Sequence, residues 1–203
     1  MGKDKVVISI GRQYGSGGRE IGRRLAEIFN IKFYDKELIT LAAKQSGFSE
    51  DVLKENDEKH NGSFLYSLVM GTYTGGDNLP LNHKLFLAQF DTIKKLAEKE
   101  SCVIIGRCAD YALEYNPNCV KAFIRADIDT RIKRAINEYG VNPETVEEKI
   151  KKIDKQRENY YNFYTGKKWG NMENYDITLN SAFTGIDGAI KVIEDLVRNK
   201  YDI

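Results

Sequence analysis

The chain has 203 residues, 41% of them hydrophobic and 30% charged, with a formal net charge of +1 at pH 7. That is enough for one α/β domain with a full core, and the near-zero charge gives no electrostatic reason to expect bulk nucleic-acid or membrane binding. No run of about 18 apolar residues marks a membrane span, no signal-peptide pattern opens the chain, and Val6 breaks the myristoylation pattern begun by Gly2.

In chain order, residues 5–10 form a short apolar run of the kind a central parallel strand requires. A glycine-rich turn follows. Ile21, Leu25, Ile28 and Phe29 then give a first helix one apolar stripe. Residues 31–34 read as a second strand, and Asp35 opens a helix with Leu38, Ile39, Leu41 and Ala42. Residues 47–80 differ in texture: Ser49 caps a short polar helix, and glycines then punctuate Phe64, Tyr66, Leu68, Met70 and Tyr73. This stretch reads as a surface loop with aromatic anchors or as an insertion facing a substrate or a second copy. A helix runs from Leu81 to about Glu100, followed by strands at 102–105 and 119–124.

Asp127 caps the next helix, striped by Ile132, Ala135, Ile136 and Tyr139 and closed by Gly140. Asn142-Pro143 is expected to start another, with Asn as cap and Pro in the first turn. Val146, Ile150, Ile153, Arg157 and Tyr160 share one side of it. Residues 160–169 are aromatic and basic, and 175–180 form the last strand. Thr184 with Asp187 resembles a capping box before a C-terminal helix. Strands alternating with helices predict an α/β fold, a five-stranded parallel sheet with right-handed crossovers.

Four groups of residues carry chemistry. The turn Gly11-Arg12-Gln13-Tyr14-Gly15-Ser16-Gly17-Gly18 lies between a strand and an amphipathic helix. Successive backbone N–H groups and the helix N-terminus there make a phosphate cradle. Gly11, Arg12, Gly15, Ser16, Gly17, Gly18, Arg19 and Glu20 are its expected residues. The loop matches neither G-x-x-x-x-G-K-[ST] nor G-x-G-x-x-G, the latter because position 20 is Glu20. Second, Gly106-Arg107-Cys108-Ala109-Asp110 ends a strand at the edge where open α/β sheets bind ligands. Arg107 can clamp a phosphate bidentately there, or pair with Asp110 to close a loop. Third, Arg131 and Arg134 share a helix face. Lys149, Lys151, Lys152, Lys155 and Arg157 follow on the next helix, either as a solvated face or as a basic lid over transferring phosphates. Fourth, Cys102, Cys108, Cys119, His60 and His83 have no metal-ligand spacing. Packing is expected for Cys102 and Cys119 and surface or core roles for His60 and His83, no metal site is assigned, and the cysteine usage points to a reducing cytoplasm.

These residues resemble a known family. The glycine loop, Arg23-Arg24-Leu25-Ala26-Glu27, Gly106-Arg107, Phe123-Ile124-Arg125-Ala126-Asp127 with Arg131 and Arg134, and Asp154-x-x-Arg157 together look like cytidylate kinase. The match is closer still to the cytidylate kinase-like family whose loop reads G-R-Q-x-G-S-G-G. The resemblance covers most of the chain and is weakest over 47–80. It implies the P-loop nucleoside monophosphate kinase fold as one domain: a core of about 1–35, 81–130 and 170–203, a substrate-side insertion of about 36–80 and a helical lid of about 131–169. It further implies ATP-dependent transfer of a γ-phosphoryl group to CMP or dCMP, with Mg²⁺.

By that resemblance Arg131, Arg134 and Arg19 would be catalytic. Asp35, Lys36, Arg107, Asp110, Asp154 and Arg157 would lie toward the substrate. Gly18 stands where the family's cytidylate kinases carry the loop lysine, so Arg12 or Arg19 would supply that charge. Arg19 and Glu20 fall near the Mg²⁺-binding hydroxyl, and Ile150 takes the place of a substrate-site arginine. The Gly18 substitution motivates an alternative, a nucleotide-binding module without phosphotransfer. A third reading, an interaction protein, rests on the aromatic insertion and residues 160–169. The partners expected are a nucleotide or other small phosphoacceptor, with no nucleic acid or membrane, and a homodimer is allowed.

Overall fold

A computed structural model describes residues 5–35, 37–38, 40–41 and 81–203. Lys36 and most of the expected insertion, 42–80, lie outside the described residues. Five parallel strands form one sheet: β1 (Val7–Arg12), β2 (Lys32–Tyr34), β3 (Cys102–Ile105), β4 (Cys119–Arg125) and β5 (Ile177–Asn180), in the order β2-β3-β1-β4-β5. The helices are α1 (Gly18–Ile28), α2 (Leu81–Lys99), α3 (Ala109–Ala112), α4 (Ile128–Asn137), α5 (Val146–Thr165) and α6 (Ser181–Tyr201). This is the expected α/β architecture, with the P-loop kinase-like layout of helices on both faces.

The period-2 alternation of the buried strands builds two cores. Ile8, Ile10, Val103, Ile105, Val120, Ala122 and Ile124 pack with Ile21 and Leu25 of α1 and Ile190, Ile193 and Val197 of α6. Val7, Cys102, Ile104 and Cys119 pack on the opposite face with Ile93 and Ala97 of α2 and Ala109 of α3. Val7 stands opposite both Cys102 and Cys119. A one-residue slip of β1 would exchange its two faces, and each fully buried Ile or Leu is worth roughly 1.5–3 kcal/mol. The three thiols are free and buried; burial pushes Cys119 up to about 11 and Cys102 up to about 12. The packing role expected of Cys102 and Cys119 stands. No described helix is long and apolar enough to cross a membrane.

Four boundaries differ most from the sequence reading. Strand β1 runs Val7–Arg12 instead of 5–10, which takes Gly11 and Arg12 into the strand. Asn142 caps a turn rather than a helix: its Oδ1 accepts from Glu144 N–H at 2.9 Å and its carbonyl from Thr145 N–H at 3.1 Å. Helix α5 then begins at Val146. Strand β5 begins at Ile177, after a 3₁₀ turn at Met172–Asn174. The Thr184–Asp187 capping box gives way to Asn180, whose side chain accepts from Ala182 N–H, and helical chain already starts at Ser181. Gly185 at φ 68° kinks that chain, a conformation glycine adopts at no steric cost. Asp127 and Gly140 act as expected. Asp127 accepts from Thr130 N–H at 2.8 Å, which lowers its pKa, and Gly140 takes φ 63°.

Two satellite clusters position the site. Ala135, Val141, Val146 and Ile150 join α4 to α5 and enclose Tyr14 of the glycine turn. Phe86, Cys108 and Tyr161 join α2, the end of β3 and α5, with Phe90, Tyr111, Tyr160, Tyr164 and Trp169 around them. The rings of Phe86 and Tyr164 stack at 4.1 Å and 11°. Most rings of the 160–169 stretch are therefore used within the chain, which corrects its reading as a partner surface.

Candidate functional site

The glycine turn sits at the carboxyl edge of the sheet, beside the point where β1 separates β3 from β4. Open parallel sheets bind ligands at such a switch point. Gly15 (φ 79°) and Gly17 (φ 77°) take left-handed backbone, and α1 starts directly after them. Gln13 organises the turn: its N–H donates to Ile124 carbonyl at 3.0 Å, its Oε1 accepts from Ala126 N–H at 3.1 Å, and its carbonyl accepts from Ser16 Oγ–H at 2.9 Å. Ser181 Oγ–H donates to Ser16 carbonyl at 2.7 Å, tying the turn to the end of β5. Gln13 and Ser181 were not picked out from sequence. The signal available was a polar residue at the end of a strand that edges a glycine turn.

Close approach explains the glycines. A Cβ on Gly15 would lie 2.7 Å from Arg131 carbonyl oxygen, so the backbone of α4 rests on the turn. A Cβ on Gly17 would run into Ile186, with Arg134 Cζ 3.4 Å away. Gly11 is different. It lies within β1, where a Cβ would meet Phe123 at 2.8 Å and Tyr175 at 3.2 Å. Its lack of a side chain serves that aromatic packing.

Arginines and carboxylates surround the turn. Arg131 is buried and pairs with Asp154 of α5, and the same carboxylate accepts from Tyr14 N–H at 2.7 Å. Burial raises the Asp154 pKa, while Tyr14 N–H, Arg131, Arg157 and Arg12 pull it back down. Arg157 donates to Arg12 carbonyl at 3.1 Å and lies 5.8 Å over the Tyr14 ring. Arg134 donates to Glu20 at 2.9 Å and to Glu138 at 2.6 Å. Arg19 donates to Asp35 at 2.6 Å, with Arg12 3.9 Å from the same carboxylate. The structure thus gathers Arg12, residues 15–20, Asp35, Arg131, Arg134, Asp154 and Arg157 at one edge. Lys149, Lys151, Lys152 and Lys155 are exposed along α5, as a solvated face.

The end of β3 is strained. Gly106, Arg107 and Cys108 take φ of 69°, 54° and 54° in succession. Left-handed backbone at non-glycine residues costs about 1–3 kcal/mol and concentrates at functional sites. Asp110, expected beside Arg107 at the ligand, is 6% exposed and accepts from Tyr161 Oη–H at 2.6 Å. Burial raises its pKa, the Tyr161 hydrogen bond opposes that, and Tyr161 itself is shifted upward. Asp110 therefore fixes α3 against α5 instead of facing the ligand edge.

The donor set suits a polyphosphate. Backbone N–H groups and five arginines line the edge, and Arg131 Nε is buried with no hydrogen-bond partner among the described residues. No group of three or more potential metal ligands occurs among the described residues. Mg²⁺ in phosphotransfer sites is held mainly by phosphates and water with one or two carboxylates. Glu20, Asp35 and Asp154 are the carboxylates at the turn, all three already paired with arginines.

Residues 7–182 match the cytidylate kinase-like family. A cytidylate kinase of Pyrococcus horikoshii is 24% identical over 196 residues, spanning 96% of this chain and 89% of that protein. An uncharacterized protein from Eubacterium ventriosum, of solved structure, is 33% identical with a TM-score of 0.71, covering 95% of this chain and 98% of its own. The shikimate kinase from Acinetobacter baumannii, solved with shikimate, shares the fold at a TM-score of 0.55 and 12% identity, over 97% of this chain and 95% of its own. A gluconokinase from Sinorhizobium meliloti does so at 0.52 and 14%, over 98% and 97%.

Proposed function

We infer, from the premise that this chain belongs to the cytidylate kinase-like family, that it is an ATP-dependent phosphotransferase acting on a small acceptor, CMP or dCMP first. The observation that carries the reading is Arg131: a buried guanidinium with an unpartnered Nε, on a helix whose backbone lies against Gly15. A buried cationic N–H without an acceptor, beside a glycine turn, supports an anion there. The domain layout that goes with this reading is a core, an insertion at about 36–80 and a lid at about 131–169, the stretch that holds most of α4 and all of α5.

In this reading ATP supplies the phosphoryl group and Mg²⁺ offsets charge on the phosphates. The backbone N–H groups of residues 15–19 hold the donor phosphates at the start of α1. Arg134, beside Gly17, and Arg131, over Gly15, neutralise charge that develops during transfer. Asp154 orients Arg131 and fixes Tyr14 N–H, so the lid and the turn are held in one arrangement. Arg107, Arg157 and Asp35 face the acceptor. Positioning and charge stabilisation suffice for such a reaction, with no covalent intermediate.

The test is purified protein with Mg²⁺-ATP against a panel of nucleoside monophosphates, read by product formation. CMP or dCMP is expected to be phosphorylated, and failure with every acceptor overturns the cytidylate reading. ATP binding in a calorimeter without turnover would support the second reading, a nucleotide-binding module, for which Gly18 is the motivating residue. Restoring lysine at 18 is not a clean arbiter, because a Cβ there would lie 2.6 Å from Arg12 Cβ.

A further inference from the structure

The glycine turn lacks a lysine at position 18, and the cations nearest that position along the sequence are Arg12 and Arg19. Geometry separates them. Gly15 and Gly17 have positive φ, but Gly18 does not, so its backbone would accept an L side chain. Space is what excludes one. A Cβ at Gly18 would lie 2.6 Å from Arg12 Cβ, 3.2 Å from Arg12 Cγ and 3.3 Å from Ile124 Cβ. The Cβ of Arg12 is set by its backbone, and no rotamer change moves it away. The far end of the same side chain fills a second glycine: a Cβ at Gly106 would run into Arg12 Nη1. Arg12 Nη2 lies 3.9 Å from Asp35. The side chain therefore spans from the glycine turn to the ends of β3 and β2, 19% exposed. Arg19 reaches the same carboxylate from the solvent side. Its side chain is 57% exposed, held at 2.6 Å on Asp35 and 5.7 Å over the Phe33 ring.

We propose that Arg12 supplies the charge that a lysine at position 18 brings to a G-x-x-x-x-G-K-[ST] loop, and that Gly18 is a glycine to make room for it. Its guanidinium stands at the junction of the phosphate turn and the end of β3, between donor and acceptor sides. Five N–H donors in a planar fork can serve the Asp35 carboxylate and a phosphate together, which an ammonium on a lysine stem would do less well. The inference rests on the reading of the turn as a phosphate site.

Calorimetric titration with Mg²⁺-ATP and with inorganic tripolyphosphate, alongside melting of the ligand-free proteins, tests it on Arg12→Gln, Arg19→Gln, Gly18→Lys, Arg12→Gly and the double variant Arg12→Gly/Gly18→Lys. Arg12→Gln should weaken both ligands roughly tenfold or more, the loss of a charge-assisted contact, while Arg19→Gln weakens them less. Gly18→Lys should melt well below the wild type. In the Arg12→Gly background the same lysine should cost little in melting temperature and recover part of the lost affinity. Unchanged affinity in Arg12→Gln, a larger loss in Arg19→Gln, or equal destabilisation by Gly18→Lys in both backgrounds overturns the inference alone. A wild-type protein that binds neither ligand overturns the phosphate-site reading, and this inference with it.

Discussion

At the scale of single residues, the site is held by glycines without room and by a buried ion pair. Gly15→Ala combines a left-handed φ with a Cβ 2.7 Å from Arg131 carbonyl oxygen. It should cost about 2 kcal/mol, seen as a lower urea midpoint, and should weaken ATP binding because α4 is pushed off the turn. Arg131→Met removes the nearest cation from the Asp154 carboxylate, 15% exposed, and leaves only the longer contact with Arg157 at 3.9 Å. Removing one partner of a buried pair costs about 3 kcal/mol, so chemical denaturation should show a loss of that order; a loss under about 1 kcal/mol would mean that water reaches Asp154, as it reaches surface pairs. Asp110 gives a pH signature. Its folded pKa is raised by burial, so the folded state binds the proton more tightly than the unfolded chain. The stability this adds is fully present below the ordinary carboxylate pKa and is lost as pH rises through the folded value. Between those two pKa values wild-type stability should gain as pH falls, and Asp110→Asn, measured by urea midpoints across the acid range, should lack that gain.

At the scale of elements, α4 and α5 dock at two places: on the turn through Tyr14, and on α2 through the aromatic seam. Phe86→Ala removes the ring stacked on Tyr164 and leaves a cavity, costing about 3 kcal/mol. Hydrogen exchange should then speed up in the second half of α5 more than in β1 or β3. The elements themselves were largely readable. Alternating apolar strands and striped helices announced the sheet, and Asp127 and Gly140 announced the limits of α4. The starts of α5 and α6 differ because Asn142 and Thr184, good caps by type, bond locally instead: Asn142 Oδ1 accepts from Glu144 N–H, and Thr184 Oγ1–H donates to the Asn180 and Gly185 carbonyls beside the Gly185 kink. The site was half legible. A glycine turn after a strand is a local pattern, whereas Ser181 against Ser16, or Arg12 against Gly18 and Gly106, exists only once distant strands are neighbours. Asp110 misled because a carboxylate next to a ligand-edge arginine has the same sequence appearance whether it points outward or into an aromatic cluster.

At the scale of the whole molecule, the two ends of the chain close on each other. The Ser181 hydroxyl lies 2.7 Å from the Ser16 carbonyl, and β1 lies between β3 and β4. Ser181→Ala should cost about 1 kcal/mol and loosen the turn, so that polyphosphate affinity falls more than the small stability loss alone would explain; equal affinity would reduce the bond to a packing detail. The central place of β1 also has a consequence in time. On a ribosome that strand is made first, yet the strands that flank it, Cys102–Ile105 and Cys119–Arg125, come far later in the chain. At roughly 5–20 residues per second the wait is on the order of ten seconds, with Val6, Val7, Ile8 and Ile10 unpaired throughout. Among the described residues, α1 and the following Phe29, Ile31 and Phe33 are available early to shelter Ile8 and Ile10. The glycine-turn edge, which Ser181 ties down, is among the last features to be completed.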